Sequence, residues 1–416
     1  MACRPLPRAG RPLAKDLAPP RLTVAEVLRA ALPAYAAAHR MPAHHWKILN
    51  VLLACRTPAL GGHLYRCQDC GREHFAPHSC GNRHCPACQR PLAQAWLAQQ
   101  QARLLPVPYF HVVFTLPHAL NPLIRQNQRG LYNLLFSAAS QTLLSFGAER
   151  FGGGQAGVTA VLHTWGQTLG EHYHLHCLVT GGAWQAKAGR WQAGSSHYLF
   201  NVRNLSAVFR AKYLAGVRRL FAKNELCFHG QLAPLAAPES FGRLLSAACR
   251  HAWVVYSKRP FAGPEQVLGY LSRYTHRIAL GPGRLRALDL EHRTVTLAYK
   301  DYAAGARGKT MTLSLEEFTR RWLLHFLPER FVKIRHSGLS SHRDLGARLE
   351  AVRASLQVGA PDVPASAAVS LDPTAAPAPK LLAPPPALTR VCPSCGSARL
   401  ERLAHFARPS RRLDSS

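Results

Sequence analysis

Three histidines occupy alternate positions in the segment EHYHLHCLVTGG, residues 171–182. Alternation of this kind predicts a β-strand, on which His174 and His176 share one face with their Cβ atoms roughly 7 Å apart. Two imidazoles held side by side on a rigid strand can bind one metal ion. A polar strand face without a ligand explains the same pattern, so the strand alone leaves both interpretations open.

Two Cys-x-x-Cys pairs lie in YRCQDCGREHFAPHSCGNRHCPACQ, residues 65–89. Two such knuckles can place four thiolates around one ion, so we predict a closed structural Zn²⁺ site. Its ligands would be Cys67, Cys70, Cys85 and Cys88. We expect the site to present Arg83 to DNA. Cys80 and His84 lie close enough in sequence to leave a different ligand set or a second ion open.

Two tyrosines lie one helical turn apart in GPEQVLGYLSRYTHR, residues 263–277, which begins like a helix. The segment carries both tyrosines and two flanking arginines: Tyr270, Tyr274, Arg273 and Arg277. A phenol is a poor nucleophile at neutral pH because its pKa is about 10. It can attack phosphorus where a metal ion polarises the phosphate and arginines stabilise the developing charge. The alternative is a pair of ordinary interfacial tyrosines.

The charge balance indicates the kind of partner. The 416 residues include 52 lysines and arginines against 21 aspartates and glutamates, a formal net charge of +31. This excess favours nucleic acid over an anionic membrane surface, because arginine, the main basic residue, grips phosphate oxygens bidentately. The shortage of acidic residues argues against a nuclease that holds two metal ions with carboxylates.

Other features bear on the compartment. No apolar run approaches the ~20 residues that a bilayer span needs, and the basic N-terminal segment lacks the apolar stretch of a signal peptide. The 12 cysteines cluster in pairs, which is typical of metal binding in a reducing compartment. We therefore expect a cytoplasmic protein, associated with the bacterial nucleoid.

The elements that position these residues mix helices with strands. Composition predicts a flexible basic arm over 1–20, helices over 21–58, a zinc-binding domain over 59–92, a catalytic domain over 93–345, a linker over 346–390 and a tail over 391–416. The irregular order of strands and helices predicts an α+β fold with an antiparallel or mixed sheet. The Pro/Ala-rich C-terminal part should be disordered. Its lone pair, Cys392 and Cys395, is interpreted as a partial or degraded knuckle that His405 could assist.

Three segments together resemble a known family. HTWGQTLGEHYHLHCLVTGG, WVVYSKRPFAGPEQVLGYLSRYTHRIAL and RHCPACQ look like the rolling-circle transposases of the insertion-sequence-91 family, which belong to the HUH single-strand endonucleases. The resemblance runs from about residue 20 to about 345. It implies a palm-like antiparallel sheet flanked by helices, with His174 and His176 as divalent-metal ligands on a central strand.

The resemblance also implies the chemistry. Tyr270 and Tyr274 would be the family's paired tyrosines, of which one attacks DNA to form a 5′-phosphotyrosine and the other accepts the second strand end. The implied catalytic ion is Mg²⁺ or Mn²⁺, with Gln266 as the first candidate for a third ligand and Glu171 and His163 behind it. The partner would be the single-stranded ends of the protein's own element and target DNA. The alternative is a non-catalytic zinc DNA-binding protein or an inactivated transposase.

Overall fold

The computed structural model describes residues 22–101, 103–195, 198–258, 279–281, 283–302, 304–341, 344–358 and 390–408. They form two compact units, with divisions after residues 40, 281 and 319. None of the helices in these ranges is long and apolar enough to cross a membrane.

Helices and strands are numbered here in chain order over the described residues. The helices are α1 (Val24–Ala38), α2 (Ala43–Leu53), α3 (Gln89–Gln101), α4 (Asn121–Gln126), α5 (Gln128–Arg150), α6 (Val202–Ala222), α7 (Pro238–Cys249), α8 (Leu315–Leu323) and α9 (Leu345–Val358). The strands are β1 (Gly62–Cys67), β2 (Glu73–Pro77), β3 (Tyr109–Thr115), β4 (Gly157–Trp165), β5 (Glu171–Thr180), β6 (Gly182–Gln185), β7 (Arg190–Ala193), β8 (Val255–Lys258), β9 (Leu285–Asp289), β10 (Thr294–Asp301), β11 (Arg307–Ser314), β12 (Ile334–Gly338) and β13 (Leu400–Phe406). Short 3₁₀ turns occupy Pro58–Leu60, His118–Leu120 and Gly230–Ala236.

The smaller unit contains α1 and an antiparallel meander of strands in the order β11-β10-β9. Helix α1 begins at a capping box, in which the Thr23 hydroxyl accepts the Glu26 backbone N–H and the Glu26 carboxylate accepts the Thr23 backbone N–H. These reciprocal bonds satisfy two N–H groups that a helix end otherwise leaves unpaired.

The larger unit is built on a five-stranded sheet in the order β12-β4-β5-β3-β8. Every neighbouring pair in this sheet is antiparallel, and β5 lies at its centre. The predicted α+β fold with an antiparallel sheet is therefore confirmed. On β4 and β5, His163 lies directly opposite His174, and Val161 lies opposite His176.

The two faces of this sheet differ in character because side chains alternate along each strand. One face packs against helices α4 to α7 in the main hydrophobic core, to which β5 contributes Tyr173, Leu175, Cys177 and Val179. The opposite face carries the histidines of β5. The apolar face fixes the register, since a shift by one residue would bury the imidazoles in the core instead.

A separate small sheet joins two segments that are far apart in sequence. The hairpin β1–β2 pairs with β13 in the order β13-β1-β2, and both pairings are antiparallel. Gly61, with φ of 72°, allows the close approach, because a Cβ there would lie 2.2 Å from the Phe406 carbonyl oxygen. The predicted tail thus contributes a strand to the zinc-binding region, although residues 359–389 of the predicted linker lie outside the described residues.

Helix α9 occupies residues that the sequence assigned to the start of the linker. Leu345, Leu349, Val352 and Leu356 recur at helical spacing and contact a second apolar cluster. The predicted linker boundary at 346 followed proline and alanine content, whereas this periodicity indicates a helix at the start of that segment.

Candidate active site

Three buried histidines converge on the face of the main sheet that points away from the core. His163 on β4 and His174 and His176 on β5 each offer a ring nitrogen, and these three atoms lie within 4.8 Å of one another. The exposed fractions of the three residues are 3%, 8% and 8%. The Nε2 atoms of His174 and His176 are 3.1 Å apart. Two ligands at right angles on an ion with bonds of about 2.1 Å would lie about 3 Å apart, so the spacing fits a shared ion.

Hydrogen bonds orient two of these rings. The Nδ1–H of His174 donates to the carbonyl oxygen of His172 at 2.8 Å, and since a carbonyl only accepts, the lone pair of His174 is on Nε2. The Nδ1 atom of His176 is 2.8 Å from Nε2 of His111 on β3. If His176 binds metal through Nε2, its Nδ1–H donates to His111. Hydrogen bonds of this kind fix the tautomer and orientation of metal-binding histidines.

Burial keeps these imidazoles neutral. It lowers the pKa of His176 to about 3, with further lowering from the charge of His111. It lowers the pKa of His111 to about 4, assisted by Lys258. The pKa of His174 lies well below its ordinary value for the same reason. Neutral imidazole is the form that binds metal, so His174 and His176 are in the competent state at neutral pH.

The three candidates for a third metal ligand differ in what the structure shows of them. His163 joins the cluster. The Glu171 carboxylate instead forms an ion pair with Arg125 and accepts a hydrogen bond from the Tyr173 hydroxyl at 2.6 Å. Although burial raises the pKa of Glu171, hydrogen bonds from Arg125 and Tyr173 outweigh this effect and hold the pKa below its ordinary value. Gln266 lies outside the described residues.

The predicted tyrosine segment also falls outside the described residues, as do its two arginines. This applies to Tyr270, Tyr274, Arg273 and Arg277. The described chain leads toward them through β8, which ends at Lys258 on the edge of the main sheet next to β3. Tyr270 and Tyr274 follow that strand by 12 and 16 residues in the sequence.

The cysteines group differently from the prediction. The four predicted ligands do not share one site: Cys67 and Cys70 meet the distant pair of the C-terminal segment. The sulfur of Cys67 is 3.5 Å from that of Cys395, and the sulfur of Cys70 is 3.6 Å from that of Cys392. Strand β13 brings this pair in by lying antiparallel to β1. The lone Cys-x-x-Cys is therefore half of a complete four-thiol group.

Cys85 and Cys88 belong to a second four-thiol group, completed by Cys55 and Cys80. The Cys55 sulfur is 3.5 Å from the sulfurs of both Cys85 and Cys88. Thiolates bound at about 2.3 Å around a tetrahedral zinc ion are roughly 3.8 Å apart, so both groups have the size of a closed site. Cys55 was missed because it follows α2 alone, with no partner at knuckle spacing.

Arg83, the predicted DNA contact, also bonds within the protein. Its half-buried guanidinium donates to the backbone carbonyl oxygens of Pro328, at 2.8 Å, and Phe331. The neighbouring His84 is buried and accepts the Leu327 backbone N–H through Nε2 at 3.1 Å. These bonds fasten the loop between the cysteine pairs to the segment before β12. The Arg83 guanidinium thus links this loop to the segment that contains Pro328 and Phe331.

Family models match two parts of the chain. Residues 157–345 match the model described as "Putative transposase", and residues 27–116 match the model described as "Transposase zinc-binding domain". The first range contains the three clustered histidines and both predicted tyrosines. The second contains six of the eight cysteines in the two thiol groups, and leaves out Cys392 and Cys395.

Two curated relatives are similar along most of the chain. "Putative transposase y4qJ" of Sinorhizobium fredii is 42% identical over 340 residues, which cover 81% of this chain and 85% of the relative. The transposase for insertion sequence element IS801 of Pseudomonas savastanoi pv. phaseolicola is 30% identical over 312 residues, which cover 74% and 73%. Among solved structures, the conjugative relaxase TrwC in complex with mutant OriT DNA is 15% identical with a TM-score of 0.25, covering 51% of this chain and 70% of that one. That score is too low to support any inference.

Proposed function

Because the chain belongs to the insertion-sequence-91 family of transposases, we propose that it moves an insertion sequence by nicking and rejoining single-stranded DNA through a phosphotyrosine intermediate. As a transposase it acts on DNA. Its principal support is the convergence of three buried imidazoles, from His163, His174 and His176, on one face of the central strands. A rolling-circle-like pathway follows from the family resemblance.

In this proposal the three histidines hold one divalent ion. A bound ion would polarise an oxygen of the scissile phosphate and stabilise charge at phosphorus. The protein's own task is to keep the three nitrogens converged, through the His172 carbonyl and the His111 ring. The nitrogen ligands favour Mn²⁺ over Mg²⁺, which prefers an all-oxygen environment.

Tyr270 and Tyr274 supply the nucleophiles. The phenol oxygen of one tyrosine attacks the scissile phosphorus, and its proton passes to solvent. The bond from phosphorus to the 3′ oxygen breaks, which leaves a 5′-phosphotyrosine and a free 3′-hydroxyl. The second tyrosine takes the other strand end, and attack by a 3′-hydroxyl on phosphotyrosine restores the phosphodiester and releases the phenol. Arg273 and Arg277 would offset the negative charge that develops at phosphorus.

The two four-thiol groups would each hold a structural zinc ion. Four thiolates fill a tetrahedral ion, so neither group leaves a position for substrate. One ion would join the knuckle at Cys67 and Cys70 to the C-terminal segment. The other would fix the turn that carries Arg83 and His84 against the segment before β12. This arrangement favours a scaffolding role.

The alternative, a non-catalytic DNA-binding protein, shares the basic charge and the thiol groups. It gives no reason for three imidazoles to be buried together on the strand face opposite the main hydrophobic core. A nuclease with two carboxylate-bound ions is also disfavoured, because Glu171, the acidic residue of β5, is engaged by Arg125 and Tyr173.

The test is a covalent-adduct assay. The full chain is incubated with Mn²⁺ or Mg²⁺ and labelled single strands that carry the element's end, and the products are separated on a denaturing gel. We expect an adduct that is lost with chelator and in the His174→Ala variant. A well-folded protein that binds the strand and forms no adduct with either ion would refute the proposed chemistry and support the non-catalytic alternative.

A further inference from the structure

A second histidine cluster lies in the small sheet, apart from both thiol groups. His63 on β1 and His405 on β13 are paired directly across the two strands, and His78 follows the end of β2. The ring centroids are 4.8 Å apart for His63 and His78, 4.9 Å for His63 and His405, and 5.5 Å for His78 and His405. One nitrogen from each ring lies within 4.8 Å of the other two.

The hydrogen bonding of His78 leaves one nitrogen ready to bind. Its Nδ1 is 3.1 Å from the carbonyl oxygen of Leu60. Since a carbonyl only accepts, Nδ1 carries the proton and the lone pair is on Nε2. A backbone carbonyl in this position is a common outer partner of metal-binding histidines, because it fixes both the tautomer and the ring orientation.

His63 provides an independent observation. Its Nδ1 atom is buried, and no hydrogen-bond partner for it occurs among the residues that the structure describes. A buried polar atom of this kind is unfavourable unless something binds it.

We propose that His63, His78 and His405 bind a third zinc ion, which fastens the C-terminal segment to the β1–β2 hairpin. Zinc fits because imidazole ligands suit it and no carboxylate takes part. Three protein ligands leave a fourth position for water, and the half-exposed setting of the cluster supplies it. Together with the thiol group at Cys392 and Cys395, this ion would hold β13 at both of its ends.

Zinc content per chain tests the proposal. The full-length protein and the variants His78→Gln and His405→Gln are equilibrated with zinc, dialysed against a weak chelator and analysed for metal and for circular dichroism. We expect each variant to retain its fold and to bind one zinc ion fewer per chain than the wild type. Histidines of the main sheet contribute equally to all samples and cancel in the difference.

His74→Gln is the matched control, since His74 lies on β2 of the same sheet and outside the cluster. It should retain the wild-type zinc content. Equal zinc in the wild type and in His405→Gln would overturn the proposal, as would an equal loss in the control, which would indicate a folding effect. Cobalt substitution gives a second readout: the ion lost in His405→Gln should lack a sulfur-to-cobalt charge-transfer band, and loss of such a band would contradict nitrogen ligation.

Discussion

The Nε2 atoms of His174 and His176 lie 3.1 Å apart on one face of β5. Burial lowers the pKa of both rings, so both are neutral and no ionic attraction draws them together. The separation is close to that of two adjacent ligands on one small divalent ion, about 3 Å. The pairing of β4 with β5 then adds His163, which lies directly opposite His174.

Replacement of His163 by alanine should weaken Mn²⁺ binding by more than the roughly 10–100-fold that is typical for loss of an outer hydrogen-bond partner, because it removes a ligand. Adduct formation should fall with it. Mn²⁺ affinity measured by electron paramagnetic resonance checks this. His172→Ala is the control, since only the backbone carbonyl of His172 bonds to His174. Unchanged affinity in His163→Ala would remove it from the ligand set.

His111→Leu should weaken Mn²⁺ binding by about 10–100-fold, because the Nδ1–H of His176 loses its acceptor. Excess Mn²⁺ should restore adduct formation, since the ligands themselves remain. The control is His336→Gln, which alters a histidine on β12 of the same sheet that bonds to Thr159 at 2.9 Å. A loss of adduct that no Mn²⁺ concentration restores would contradict a positioning role for His111.

The strand with His174 and His176 could be predicted from the sequence because its signal is local. Period-two alternation places both imidazoles on one face, and the apolar residues between them mark the other face as core. The third ligand was not fixed in this way. Alternation along β5 places Glu171 on the face opposite His174, and the register of β4 against β5 brings His163 directly opposite His174.

The grouping of the cysteines was even less predictable from the sequence. Knuckle spacing predicted Cys67, Cys70, Cys85 and Cys88 as metal ligands, but the cysteines that lie beside them depend on long-range contacts. Cys392 and Cys395 arrive through the pairing of β13 with β1, and Cys55 carries no spacing signal. The backbone carbonyl groups that accept hydrogen bonds from Arg83 likewise leave no trace in the sequence.

The zinc content of cysteine variants should show whether the cysteines form two zinc sites or a single one. Cys67→Ser and Cys85→Ser should each lose one zinc ion, and the double variant should lose two, because the residues belong to different groups. Metal analysis of the three purified proteins checks this. A single four-cysteine site would instead give the same loss of one ion in all three variants. The Cys227→Ser variant, at an exposed cysteine outside both groups, is the control.

The free energy of unfolding should fall as the pH decreases from about 6.5 toward 4. Burial lowers the pKa of His84 to about 3 and that of His325 to about 4. Below the ordinary histidine value the unfolded chain therefore binds more protons than the folded one, at about 1.4 kcal/mol per pH unit for each such residue. Stability is thus full above pH 6.5 and is lost on acidification.

Urea unfolding at pH 7, 6, 5 and 4 measures this slope. His84→Gln should reduce the slope by the contribution of one proton, about 1.4 kcal/mol per pH unit. His251→Gln, at an exposed position, should leave the slope unchanged. A slope in His84→Gln equal to that of the wild type would show that His84 is not the neutral buried group described here.

The most direct measurement identifies the residue that becomes linked to DNA. The full chain is allowed to react with an element-end single strand and Mn²⁺, digested with nuclease and protease, and analysed by mass spectrometry. The predicted result is a peptide that carries a nucleotide on Tyr270 or Tyr274, absent in the Tyr270→Phe, Tyr274→Phe double variant and in chelator. A link to any other residue, or an undiminished adduct in the double variant, would contradict the proposed tyrosine chemistry.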